Sequence, residues 1–224
     1  MRMMSLKNNL DQIVYERIVD EIIAGHYKMG EKILAGEVAE KFEISKTPVT
    51  QAIKLLCNDG VFEMLPNGRI VVPTLTYEDV QNVCSVRELL ESYSCEQICA
   101  RPKEENENLI QELQKYSDAC ENEVALGNHV RFVREDMKFH QKLVEGTGNN
   151  YLMETFRKAH GRYMVACYLM LPLERRDFDH SIREHKQMIA CIQEENVERA
   201  KEIVKSHIEY ILTILKSECS GKPL

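Results

Sequence analysis

Four side chains in the second half of the chain have the types and spacing to hold a divalent cation. In RFVREDMKFHQKLVEG, Asp136 and His140 stand four residues apart, so a helix would set them on one face with Val133 and Leu143. In SIREHKQMIACI, His185 shares a helical face with Ile182, Ile189 and Ile192. In AKEIVKSHIEYIL, His207 shares one with Ile203, Ile211 and Ile214. One carboxylate and three imidazoles are thus directed toward an apolar interior. Burying an ionised aspartate without a partner costs several kcal/mol. A divalent ion removes that cost, and three imidazole nitrogens with one carboxylate oxygen suit zinc, with nickel, manganese or iron as other choices. Each histidine alone reads as an ordinary hydrogen-bonded core residue; the conjunction with Asp136 is what points to a site.

Such a site leaves coordination positions open, and open positions admit two chemistries. One is activation of water in a metal-dependent enzyme. That needs a base nearby, and Glu184 lies about 100° from His185 around its helix. A di-iron centre would need paired Glu-x-x-His motifs, and the chain has one acidic-His helix pair. The other chemistry is binding, either of a small ligand or of the metal itself as signal. No enzyme is expected; the metalloenzyme and the pure metal sensor are the alternatives to a ligand-binding regulator.

The elements that must position these groups are helices. After Pro73 the spacing predicts helices near 77–100, 105–126, 129–145, 150–171, 179–194 and 197–217, with Thr76 and Asp79 as the start of the first and no convincing strand. Before Pro73 the pattern differs. Ile13, Val14, Ile18, Val19 and Ile22 stripe a first helix closed by Gly25, and Val38, Ala39 and Phe42 mark a short second one. A third carries Val49, Ile53 and Leu56, with Thr47 as N-cap and Pro48 at the first helical position. VFEMLPNGRIVVP then reads as a hairpin turning at Pro66-Asn67-Gly68. The expected fold is mainly α: an N-terminal winged helix-turn-helix over residues 1–74 and an antiparallel all-α bundle over 75–224.

In a winged helix-turn-helix the third helix enters the major groove. From Ile44 to Asn58 the chain has no carboxylate, although 36 Asp and Glu outnumber 29 Lys and Arg overall, for a net charge of -7. A carboxylate there would be repelled by a duplex. The groove-facing positions would be Thr50, Gln51 and Lys54; Ser45, Lys46 and Thr47 at the helix start would meet phosphate, and Arg69 at the wing an adjacent backbone. Bulk charge does not announce DNA binding, because residues 1–74 hold nine basic and ten acidic residues. No apolar run is long enough to span a membrane and MRMMSLKNNLDQIVYERI lacks a signal-peptide core, so no membrane partner and a cytoplasmic location are expected. Eight cysteines without a C-x-x-C pair read as buried small hydrophobes.

The segments GHYKMGEKI, ISKTPVTQAIKLL and DGVFEMLPNG resemble the N-terminal signature of GntR-type transcription regulators over about residues 10–73. VRELLESYSCEQICA, DMKFHQKLVEGTGNNYL and EHKQMIACIQEENVERAKEIVKSHIEYI resemble the FCD effector domain of the FadR branch over about residues 76–215. Where relatives of the fatty-acid regulator type often carry Arg at three DNA-contacting places, this chain has Gly36, Lys46 and Thr50, and Gln51 replaces the usual Glu. Thr50 cannot make the bidentate guanine contact that Arg makes. In metal-containing FCD members the ligands correspond here to Asp136, His140, His185 and His207. The resemblance implies a homodimer on a palindromic DNA operator, controlled by a small carboxylate effector held at the metal. Arg87 matches the Arg of the family's Arg-x-x-Leu-Glu motif and could pair with that carboxylate, or else with a neighbouring helix. His160, on a stripe with Leu152, Phe156, Tyr163 and Cys167, either lines the cavity or is a core histidine; His26, His129 and His180 read as surface.

Overall fold

A computed structural model describes residues 2–170 and 176–219, and the side chains of 10–169 and 176–216 among them. Helix α1 (Arg2–Ile23) buries Val14, Ile18 and Ile22, each fully, on a stripe of spacing four. Ile13, expected on that stripe, is 44% exposed; one position is 100° of helix, and Val14 takes the inward place. Gly25 ends the helix in the left-handed conformation, at φ 75°. Helices α2 (Ala35–Phe42) and α3 (Lys46–Asn58) follow, joined through Glu43 at φ 56°. Val38 and Phe42 of α2 and Val49, Ala52, Ile53 and Leu56 of α3 close the small core with α1. Helix α3 starts earlier than the Thr47 cap predicts. Ser45 precedes it without a side-chain cap bond, and Pro48 is its third residue. The first turn has no intrahelical use for its N–H groups, so proline is tolerated there.

Strands β1 (Glu63–Met64) and β2 (Ile70–Val71) pair antiparallel, Glu63 opposite Val71 and Met64 opposite Ile70. Asn67 and Gly68 (φ 78°) turn the wing, and the Asn67 side chain accepts from the Arg69 N–H. Lys32 bridges to Val71, fastening the chain ahead of α2 to the wing.

Helices α4 (Tyr77–Cys99), α5 (Glu107–Ala125), α6 (His129–Glu145), α7 (Asn150–Met170), α8 (Phe178–Gln193) and α9 (Val197–Cys219) build the larger unit. Thr76 and Asp79 form the expected capping box at α4. Helix α4 lies against α7 and α9, and α5 against α6 and α8. The buried face of α4 is unusual for carrying Arg87 and Glu91 among Val80, Cys84, Cys95 and Ile98. Six of the seven described cysteines are buried and Cys57 is half-buried; all seven are free thiols. No described helix is long and apolar enough to cross a membrane.

The two units touch closely. A Cβ on Gly161 of α7 would fall 1.8 Å from the Asp59 carbonyl oxygen, and one on Gly60 2.6 Å from that of Lys158. Arg162 reaches Glu63 of the wing at 3.1 Å, and Arg134 of α6 pairs with Glu16 and Asp20 of α1.

Candidate metal centre

Helix α6 carries Asp136 and His140 one turn apart, α8 supplies His185 and α9 supplies His207. One donor atom from each falls within 4.8 Å of all the others. His185 Nε2 lies 3.4 Å from His140 Nε2 and 3.4 Å from Asp136 Oδ1, and His140 Nε2 lies 3.8 Å from the same oxygen. Tetrahedral donors bound at about 2.1 Å stand about 3.4 Å apart, so the spacing fits a zinc-sized ion.

Two carboxylates set the tautomers. Glu91 Oε2 lies 2.7 Å from His140 Nδ1, and Glu184 Oε2 lies 3.0 Å from His207 Nδ1. Both carboxyls are held below their ordinary range. Burial opposes this in each; Arg87 and His140 outweigh it at Glu91, and His207 with Ser206 and His180 at Glu184. An ionised carboxylate only accepts, so each Nδ1 donates and each Nε2 turns a lone pair toward the centre. Burial pushes the His185 imidazole down to about 4, against its hydrogen bond to Asp136, which keeps it neutral near pH 7. Its ring is stacked on Phe139, with centroids 4.0 Å apart. Asp136 is driven well below the carboxylate range: burial would raise it, and the His185 hydrogen bond and the three imidazoles overcome that. Lone pairs and a negative charge converging in a mostly enclosed space suit a cation, and that donor set fits a divalent metal.

The centre is open on one side. Asp136 keeps 16% of its side-chain surface, while His140 and His185 are enclosed. Asp136 and His207 line a cleft of about 20 Å³ with Tyr163, Tyr168, Arg176 and Tyr210.

Arg87 is placed differently from a free anion receptor. It is wholly buried, its Nε donates to Glu91 Oε1 at 2.8 Å, its Nη2 lies 2.6 Å from the same oxygen, and its guanidinium sits 4.0 Å over the Tyr163 ring. Its partner is thus on its own helix, and through Glu91 it acts on His140. His160 is 5% exposed and stacks on Phe156, with both ring nitrogens buried and unpartnered among the described residues. Burial and the nearby Arg87 drive its imidazole well below its ordinary value. His26 is exposed as expected. His129, expected at the surface, stacks on Phe178 at 4.6 Å, and His180 lies 3.2 Å from Glu184; amphipathic faces give no warning of such edge positions. Glu91 and Glu184 received no binding role from the sequence. An acid four residues after Arg87 on an apolar face was the available sign for Glu91; Glu184 turns to α9, which helical spacing does not show.

Ser45 just before α3 and Lys46, Thr47, Gln51 and Lys54 on it are exposed, as is Arg69 on the wing. Thr50 is half-buried and its hydroxyl donates to the Lys46 carbonyl at 2.8 Å. Among the described residues Lys46, Lys54 and Arg69 carry no ion pair, so their charges are free for phosphate.

A winged helix-turn-helix joined to a helical domain with a buried polar centre defines a class of ligand-controlled DNA-binding proteins. Residues 10–72 match the bacterial regulatory proteins of the gntR family and residues 82–210 match the FCD domain, so the chain belongs to the GntR regulators with an FCD effector-binding domain. It is a transcription regulator rather than an enzyme. The HTH-type transcriptional regulator YdhC of Bacillus subtilis is 25% identical over 203 residues, which span 90% of this chain and 89% of that protein. The gluconate operon transcriptional repressor of the same organism is 22% identical over 178 residues, 77% of this chain and 71% of the repressor. Among solved structures, Escherichia coli McbR/YncC superposes with a TM-score of 0.72 at 18% identity, covering 93% of this chain and 98% of that one. A GntR regulator from Rhodococcus gives 0.74 at 16% identity, covering 95% and 98%. These two likenesses speak to the fold.

Proposed function

We propose that this regulator works as a cytoplasmic homodimer whose residues 1–74 read a palindromic operator and whose residues 75–224 hold a divalent metal, zinc by preference, that seats a small carboxylate effector. The convergence of Asp136, His140, His185 and His207 within 4.8 Å carries the reading. When bound, the metal supplies open positions for a carboxylate oxygen. Glu91 and Glu184 orient His140 and His207 for it, Arg87 holds Glu91, and the two free nitrogens of His160 support a polar contact beside His140. The name of the gluconate operon repressor ties one relative to a sugar acid, which supports an organic acid as the effector class. Val86, Leu89 and Tyr93 are exposed on one stripe of α4, apolar surface of the kind an isologous dimer buries. Ser45, Lys46, Thr47, Gln51, Lys54 and Arg69, with Thr50 beside them, form the face offered to DNA.

A second reading, in which the metal is itself the signal, is favoured by the tightness of the cleft, whose 20 Å³ is about one water. Metal content and operator binding separate the two. Wild-type protein purified without chelator should carry about one divalent ion per chain, and His185→Ala should carry little. If operator affinity changes on adding a small organic acid to metal-loaded protein, the effector reading stands. If it changes with chelator and with no acid, the sensor reading stands. Full metal occupancy in His185→Ala would sink both.

A further inference from the structure

The cleft beside the Asp/His cluster contains a cation with no counter-ion among the described residues. Arg176 precedes α8 and lines the same cleft as Asp136 and His207. Its guanidinium lies 4.0 Å over the Tyr168 ring, one Nη donates to the Cys167 carbonyl, and Nε is buried with no partner among the described residues. The ionisable groups that bear most on it are Tyr168, Cys167 and Tyr163, all neutral near pH 7. The nearby carboxylates among the described residues are engaged elsewhere. Glu91 holds Arg87 and His140, and Glu184 holds His207 and Ser206. Asp177 caps α8 through the His180 N–H and reaches Arg183. Asp136 faces the three imidazoles.

A partly desolvated guanidinium with an open N–H is a receptor for an anion, and a planar fork matches a carboxylate. Arg87 is already charge-paired with Glu91, whereas Arg176 has no carboxylate partner among the described residues, so Arg176 has the less committed charge. We infer that Arg176, not Arg87, is the residue that recognises the carboxylate of the effector, gripping it across the cleft from the Asp136 and His207 edge of the centre. The inference rests on the carboxylate-effector reading above and adds its specificity-determining residue. Tyr210, whose hydroxyl accepts the Asp177 N–H at 2.9 Å, and Ser181 complete a polar wall suited to a hydroxylated acid. A ligand larger than one water must displace side chains that line the cleft, and Arg176 is held there by the Cys167 carbonyl and by Tyr168, with no ion pair among the described residues.

The test uses full-length zinc-loaded protein titrated by calorimetry with acetate and with D-gluconate, and zinc affinity measured separately by competition with a chromophoric chelator. Arg176→Gln should weaken carboxylate binding by about tenfold or more, the loss typical of a charge-assisted hydrogen bond, while zinc affinity stays within about twofold of wild type. Arg176→Lys keeps the charge without the fork and should recover part of the binding. Circular dichroism melts of both variants establish that they fold. If Arg176→Gln folds and binds either acid as tightly as wild type, the Arg176 assignment is overturned and the effector reading survives. If zinc-loaded wild type binds neither acid up to about 10 mM, the effector reading fails and Arg176 falls with it.

Discussion

Glu91 sits between a permanent cation and an imidazole of the Asp/His cluster, with Arg87 on one oxygen and His140 Nδ1 on the other. Its charge therefore does two jobs, and neutralising it should show both. Glu91→Gln leaves Arg87 buried without a counter-charge, which costs about 3–5 kcal/mol in urea melts. It also frees the His140 ring, which should weaken zinc binding about 10–100-fold in chelator competition. Glu184→Gln makes the useful contrast. Glu184 orients His207 but partners no buried arginine, so zinc affinity should fall comparably with a much smaller loss of stability. The Glu91 carboxyl is held below its ordinary value near 4.5, so in metal-free protein its stabilisation is present above that pH and fades as pH falls below it. Metal-free Glu91→Gln should lose that part of the acid-side slope. Stability of the variant equal to wild type at pH 7 would contradict the Arg87 linkage.

Helix α7 joins the effector domain to the DNA-binding domain through consecutive residues. His160 lies toward the Asp/His cluster, 6.1 Å ring to ring from His140, and Gly161 abuts the Asp59 carbonyl just past the end of α3. Glycine inside a helix is ordinarily a weakness, and replacing it with alanine ordinarily stabilises by about 0.5–1 kcal/mol. At Gly161 the sign should reverse. The new Cβ would meet Asp59 at 1.8 Å, so Gly161→Ala should destabilise by about 1–3 kcal/mol or part the two units, seen in thermal melts and in a larger radius of gyration. Gly36→Ala in α2, with nothing within 4 Å, is the control and should leave the fold as stable or slightly more so. A gain at both positions would mean that the units do not dock through α7. This docking was not legible in the sequence, where Gly161 reads as an indifferent helix residue. The convergence of Asp136, His140, His185 and His207 was legible, because an ionisable side chain on an apolar helical face is visible from spacing alone. Arg176 lies in a loop, where no periodicity says which way a side chain faces. The early start of α3 was missed because Thr47-Pro48 is a strong local signal, and the backbone needs no N–H from Pro48.

The whole chain carries a net charge of -7, so attraction to DNA must come from a small number of free cations on one face. Lys46, Lys54 and Arg69 are exposed on that face, and a dimer would double them. If the dimer forms through the α4 stripe, Leu89→Lys, at a residue 70% exposed, should give a monomer in sedimentation and weaken operator binding steeply, because each monomer reads a half-site alone. The number of cations also bounds the salt dependence. Each neutralised phosphate contributes about 0.9 to the slope of log affinity against log salt, so six contacts give a slope near -5. Lys46→Ala removes two contacts per dimer and should flatten that slope by about 2, with a similar loss of affinity for specific and unrelated duplexes, because phosphate contacts carry no sequence information. Gln51→Ala should behave in the opposite way, leaving the slope unchanged and eroding the preference for the operator, since an uncharged amide releases no counterion but can read a base edge. A Lys46→Ala slope equal to wild type would place the phosphate contacts elsewhere on the wing domain.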